Sequence, residues 1–235
     1  ERYIKKNYSK AHQKDITVIP RGIEKDLYRR SFRPSDAWME NWQQQLGYKT
    51  DAKILTIAGR LTRWKGQLDF ILILAGLRKR GVNAFGLIVG SAHKNNKAYE
   101  DELKIAAQTY GVTPYLLFLG SRSDLMEIFS ISDCAYSLAK NPEAFGRTTI
   151  EALALGTPVI GYDHGGTSEI LDNVFPRGKV ALNDIDAVID RTIEVLANHP
   201  LISERHPYTV GKMELATLSL YERSTKKILI SKNVR

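Results

Sequence analysis

Two acids, Glu143 and Glu151, stand eight positions apart in the stretch "NPEAFGRTTIEALALG". Between them a turn-like opening gives way to apolar residues at helical spacing. If a helix begins near Gly146, the amides of Gly146, Arg147 and Thr148 are first-turn donors without a partner in the helix, and they can cradle a phosphate. Glu143 then lies on the loop before the helix, where its carboxylate can accept hydrogen bonds from ligand hydroxyls. Glu151 falls about a turn inside, where a carboxylate can take two neighbouring hydroxyls, as a ribose offers them. Both acids also have a plainer reading, Glu143 as an acid that complements the helix dipole and Glu151 as a solvated helix residue.

Two further stretches could join them. "GRLTRWKG" places Arg60, Arg63 and Lys65 within six residues, just before a second helical pattern. A forked guanidinium and a flexible ammonium together suit the oxygens of a pyrophosphate, with solvated surface charge as the alternative. In "DHGGTSEIL", Gly165 and Gly166 permit positive φ and close backbone approach, and Thr167 or Ser168 can cap the helix that follows. A tight structural turn accounts for this stretch equally well.

Other chemistries find no support. No G-x-G-x-x-G follows a strand pattern and no G-x-x-x-x-G-K-[ST] occurs, which argues against nicotinamide binding and a P-loop. Asp184 and Asp186 have a D-x-D spacing but open a helix, where capping explains them. The five His and the single Cys134 show no metal-ligand spacing, and no nucleophile elbow surrounds a Ser. No metal site is expected.

The elements that must carry these loops alternate. "DITVIP" (15–20) reads as a short strand, followed by a polar helix from Ser35 to Leu46 with Ser35 as N-cap and Gly47 as stop. "KILTIAG" is a strand and 65–80 a helix, "AFGLIVG" a strand and "AYEDELKIAAQTYG" a helix. "YLLFLG", "DCAYSLA" and "TPVIGYD" are strands, with "DLMEIFSIS" and "DIDAVIDRTIEVLANH" as helices. Such alternation predicts βαβ units, an α/β class and a Rossmann-like, doubly wound parallel sheet in one domain. Ligands of these sheets bind at the carboxyl ends of strands, where all three stretches fall. A last helix, with Met213, Leu215, Leu218, Tyr221 and Ile228 on its apolar positions, has no strand to pack behind it.

Composition agrees with an ordinary globule: 235 residues, 43% hydrophobic and 26% charged. A lone cysteine suggests a reducing compartment and a buried structural thiol. The net charge of +8 favours anionic partners, although basic residues are spread and not interleaved with aromatics as in single-strand binders, so nucleic acid is not expected. No apolar run is long enough to span a membrane. The opening "ERYIKKNYSK" has neither initiator Met nor signal-peptide core, and the expectation is a fragment of a longer chain.

With these residues in hand, the chain resembles the C-terminal, donor-binding half of a family-four retaining glycosyltransferase (glycosyl transferases group 1) of the GT-B fold. The likeness rests on "VIPRGIEKDLY", "IAGRLTRWKGQLDFI", "FLGSRSDLMEIFSISDCAYSLA", "EAFGRTTIEALALGTPVI" and "GGTSEIL", in that order. The resemblance implies that Arg60 and Lys65 bind the donor diphosphate and offset charge on the leaving group. It implies that Glu143 contacts the donor sugar and Glu151 the ribose. Phe145, Gly146, Arg147 and Thr148 would supply backbone contacts, and Ser121 and Arg122 would border the base. The donor would be a UDP-, GDP- or ADP-linked sugar, with no further cofactor and no metal. Ala144 stands where the family commonly has Pro, and Arg21 where it has Asn.

The same resemblance makes residues 1 to about 30 an interdomain segment and sends the last helix onto an N-terminal acceptor domain that lies outside this chain. It implies a hexosyl-type transferase acting on a glycan or lipid-linked acceptor in bacterial envelope or lipopolysaccharide synthesis. Such an enzyme is cytoplasmic, with peripheral contact at the inner membrane, and the isolated part would be inactive. Two alternatives are another GT-B enzyme, such as a sugar-nucleotide epimerase, and a non-catalytic nucleotide-binding module.

Overall fold

The computed structural model describes residues 16–46, 51–92 and 97–233. In chain order the elements are α1 (Asp36–Leu46), β1 (Lys53–Ala58), α2 (Gln67–Lys79), β2 (Ala84–Val89), α3 (Lys97–Thr109), β3 (Leu116–Gly120) and α4 (Leu125–Ser130). They continue as β4 (Cys134–Ser137), α5 (Arg147–Ala154), β5 (Val159–Tyr162), α6 (Gly165–Val174), β6 (Lys179–Val180), α7 (Ile185–Asn198) and α8 (Val210–Asn233).

The six strands form one sheet in the order β3-β2-β1-β4-β5-β6, and every neighbouring pair is parallel. β2 is buried along its whole length, as a strand covered on both faces must be. Its residues alternate between the faces. Phe85, Leu87 and Val89 pack with Trp42 of α1 and Ile128 of α4. Gly86 faces the other way, where a Cβ would stand 2.9 Å from Leu74 and 3.1 Å from Phe70, both on α2. Gly76 in turn lets Ile189 of α7 approach α2. Cys134 is buried within β4, and burial pushes its thiol up to about 12.

Among the described residues, contacts divide the chain into two units, 25–206 and 16–24 with 207–233. The sequence reading counts one domain with a leading segment to about residue 30. Ile23 is tied to the start of α8: its amide donates to the Tyr208 carbonyl and its own carbonyl accepts from Val210.

Other differences are local. Residues 16–20 form no strand with any described residue; the extended pairing that follows them is a parallel bridge between Ile23 and Thr209. Asp15 and Gly47 lie outside the described residues. The helix expected from Lys65 begins at Gln67, since Gly66 is left-handed (φ +80°) and residues 63–65 make a 3₁₀ turn. β6 is two residues long, too short to leave a period in the sequence. Ser35 caps α1, donated to by the Trp38 amide at 3.3 Å, and Asp184 caps α7 through the Ala187 amide at 3.0 Å. No helix among the described residues is long and apolar enough to cross a membrane.

Candidate functional site

Reading outward from β1, the sheet runs to β2 and β3 on one side and to β4, β5 and β6 on the other. The order therefore reverses between β1 and β4, and the crevice at their carboxyl ends is where such sheets hold ligands. The loop after β1 carries Arg60 and Lys65; the loop after β4 carries 143–146. The two loops are pressed together. A Cβ on Gly66 would sit 2.1 Å from the Leu138 carbonyl oxygen, so a side chain there is excluded. The Lys140 amide donates to the Trp64 carbonyl at 2.6 Å. Beneath them Asp69 on α2 accepts from Lys140 Nζ at 2.8 Å and from the Tyr162 hydroxyl at 2.7 Å.

Across this seam Lys65 Nζ donates to Glu143 Oε1 at 2.7 Å, with the two side chains 18% and 15% exposed. The ammonium also lies 4.6 Å from the centre of the Trp64 ring. Arg60 is exposed, and its carbonyl accepts from Gln67 Nε2 at 3.0 Å. Arg63 leaves the group: it forks onto Glu102 of α3 with both distances 2.5 Å, and stacks over Tyr99.

Gly146 ends the second loop in the left-handed region (φ +85°), and the amides of Thr149 and Ile150 return to its carbonyl. Arg147 and Thr148 thus occupy the first turn, whose amides have no carbonyl behind them. Gly165 and Gly166 do not make a separate site. They begin α6 directly beneath the 143–145 backbone, where Gly166 donates to the Glu143 carbonyl at 2.8 Å. A Cβ on Gly166 would lie 2.3 Å from the Phe145 oxygen. Thr167 and Ser168 accordingly fall inside α6 and do not cap it: Thr167 pairs with the Ser137 hydroxyl at 2.8 Å, and Ser168 donates to Asp163 at 2.5 Å.

Neither plain reading of the acids holds. Glu143 turns its carboxylate to Lys65, not to the helix start, which has no side-chain cap. Glu151 is not solvated, its side chain being 6% exposed. Arg147 Nε donates to Glu151 Oε1 at 2.7 Å, and the Tyr28 hydroxyl donates to the same oxygen at 3.3 Å.

The profile of the glycosyl transferases group 1 family matches residues 39–208, most of the chain. The chain belongs to that family. It is 29% identical over 197 residues to a lipopolysaccharide 1,2-N-acetylglucosaminetransferase of Salmonella typhimurium, a match covering 81% of this chain and 49% of that protein. Against the crystal structure of Anabaena Alr3699/HepE in complex with UDP-glucose it has a TM-score of 0.68 and 25% identity, covering 78% of this chain and 48% of the other. The C-terminal domain of a group 1 glycosyl transferase from Francisella tularensis (LpcC) matches with a TM-score of 0.60 and 20% identity, over 84% of this chain and 97% of that one. The chain spans about half the length of the curated relatives it matches. Its Rossmann-like sheet is the α/β fold of GT-B glycosyltransferases.

Within this group 1 chain, Ser121 and Arg122 stand apart from the other candidates, after the edge strand β3. Ser121 is exposed, and the Arg122 fork closes on Asp124 in its own loop at 2.8 and 2.5 Å. Arg122, the Trp38 indole N–H at 2.8 Å and the nearby charge hold the Asp124 carboxyl down at about 2. Sequence reasoning missed Tyr28, Asp69 and Trp64. The i, i+4 spacing of Arg147 and Glu151 was available as a helix ion-pair signal. Nothing local marks Tyr28, which is 123 positions from its partner.

Proposed function

We propose that this chain is the donor-binding part of a retaining glycosyltransferase, which moves a hexosyl group from a nucleotide-diphosphate sugar to a glycan or lipid-linked acceptor. The observation that carries the reading is the meeting of Lys65 and Glu143 at 2.7 Å at the reversal of strand order. One cation suited to phosphate and one acid suited to hydroxyls stand side by side, next to first-turn amides. An ammonium has three donors, so Lys65 can keep Glu143 and still bind a phosphate oxygen.

As the bond between the anomeric carbon and the diphosphate oxygen breaks, the electron pair stays on the leaving group. Lys65, Arg60 and the amides at 146–148 face that growing charge and stabilise it without reorganising. Glu143 holds the sugar hydroxyls and Glu151 the ribose. Fixed cations and amides here take the part that a divalent ion plays in other phosphate chemistry. Ser121 and Arg122 border the base.

The half-length match to curated relatives supports an acceptor domain elsewhere in the whole protein, against which the exposed Leu215, Leu218 and Tyr221 of α8 would pack. The Salmonella relative supports an acceptor in envelope or lipopolysaccharide synthesis. A net charge of +8 suits peripheral work at the cytoplasmic face of an anionic membrane. Alone, the chain binds donor weakly and turns over little.

Thermal-shift and calorimetric screening against UDP-, GDP- and ADP-sugars tests the reading. At least one should stabilise the chain, and reversing Arg60 and Lys65 to Glu should abolish that stabilisation. Unchanged binding in the reversed variant would remove the diphosphate assignment; robust transfer by these 235 residues would remove the two-domain requirement.

A further inference from the structure

The two donors that reach Glu151, Arg147 Nε and the Tyr28 hydroxyl, both land on Oε1. Oε2 receives no hydrogen bond from a described residue, and it is not among the sealed, unpartnered polar atoms of the structure. The carboxylate is therefore held by one oxygen and offers the other. A ligand hydroxyl that reaches it meets an acceptor whose orientation is already set, and pre-set orientation is what turns one hydrogen bond into discrimination.

Tyr28 has no helix or strand to account for its place; it lies in the segment before α1. A Phe ring would fill the same space, while a half-buried hydroxyl must find an acceptor or lose its hydration. Here it finds the acid. Burial, and then the negative charge of Glu151, raise the pKa of the Tyr28 hydroxyl. Arg147 makes the shorter bond to Oε1, 2.7 Å against 3.3 Å, but from a side chain 70% exposed, so the half-buried Tyr28 hydroxyl is the less solvated of the two donors.

We infer that Tyr28 is a positioning residue for nucleotide recognition: its hydroxyl fixes the Glu151 carboxylate so that Oε2 accepts from a ribose hydroxyl, and the chain thereby prefers ribonucleotides over deoxyribonucleotides. This inference rests on the donor reading given above. It assigns to Tyr28 a selectivity that the acid alone would supply only in part. The chemistry is one hydrogen bond to a charged acceptor, and its loss is felt by ligands that carry the hydroxyl and not by those that lack it.

The test is a matched calorimetric set. UDP, GDP and ADP, with their 2′-deoxy and 3′-deoxy counterparts, are titrated into the unaltered chain, Tyr28→Phe and Glu151→Gln, with circular dichroism confirming the fold of each. The unaltered chain should bind its preferred ribonucleotide about tenfold or more tighter than one of the deoxy forms. Tyr28→Phe should weaken the ribonucleotide about fivefold while leaving that deoxy form unchanged, so the ratio collapses. In the Glu151→Gln background, adding Tyr28→Phe should change the ratio no further. Equal weakening of both forms, or an unaltered ratio, overturns the inference and leaves the donor reading standing. Binding of none of the nucleotides to the unaltered chain overturns both.

Discussion

Lys65 and Glu143 meet at 2.7 Å although they belong to loops that follow different strands, β1 and β4, and stand 78 positions apart. Neither loop alone fixes the pair. Their union depends on Gly66 against Leu138, on Lys140 against Trp64, and on Asp69 reaching both Lys140 and Tyr162. The seam between the two loops thus rests on contacts within the chain, and it brings the two charges together.

That pairing gives a stability prediction. Both side chains are mostly covered, so removing either partner leaves the other charge short of solvation. Lys65→Met and Glu143→Gln should each cost on the order of 1–2 kcal/mol in urea unfolding. The double variant should cost less than the sum, with a coupling of about 1 kcal/mol. Strict additivity would show that the contact contributes nothing.

The two glutamates should separate by ligand. Glu151→Ala is expected to weaken nucleoside diphosphate and nucleotide sugar alike, about tenfold or more, because in the proposed function the group lost faces the part they share. Glu143→Ala should weaken only the sugar-bearing ligand. Calorimetry with the same nucleotide, with and without its sugar, decides it; a Glu143→Ala defect toward the bare diphosphate contradicts the assignment.

Gly166 is a position in the site where a single added carbon meets backbone. A Cβ there would stand 2.3 Å from the Phe145 oxygen and 2.5 Å from its carbonyl carbon, backbone atoms that cannot swing aside. Gly166→Ala should therefore cost more than about 2 kcal/mol or shift the 143–146 loop, with loss of donor binding in either case. Gly211→Ala, in the first turn of α8 with nothing within 4 Å of the added atom, is the control. It should be neutral or stabilising by about 0.5–1 kcal/mol.

The order of elements was legible because each buried strand and amphipathic helix carries its period in consecutive residues. β6 and the bridge at Ile23 carry none, since both are made by distant partners. In the candidate site, spacing marked Glu143, Glu151, Arg60 and Lys65 as candidates, and folding joined Lys65 to Glu143. Spacing could not show that Arg63 would turn to Glu102, because that depends on where α3 lies. Gly165 and Gly166 were legible as glycines that admit a close approach; what approaches is the 143–145 backbone, which no local pattern names. Asp69 was hidden inside the apolar run "QLDFILIL", where one acid looks like the wet side of a helix and is in fact buried against Lys140 and Tyr162.

Asp124 supplies a prediction in pH. Its carboxyl lies at about 2 in the folded chain against 3.8 for the ordinary group, chiefly through the Arg122 fork. A depressed folded pKa means that the folded state binds the proton more weakly than the unfolded one. The stabilisation is therefore complete above about pH 5 and is lost as pH falls through the ordinary value toward about 2. Arg122→Met removes the largest cause and the charge together. The unaltered chain should exceed this variant by on the order of 1–2 kcal/mol near pH 6, the partial exposure of the pair holding the figure down. The gap should narrow steadily as the medium is acidified from pH 5 toward 2, in urea melts taken at steps of pH, while the Asp124 carboxyl resonance titrates higher in the variant. A gap that stays constant across that window would mean that Arg122 acts by packing, not by its charge on Asp124.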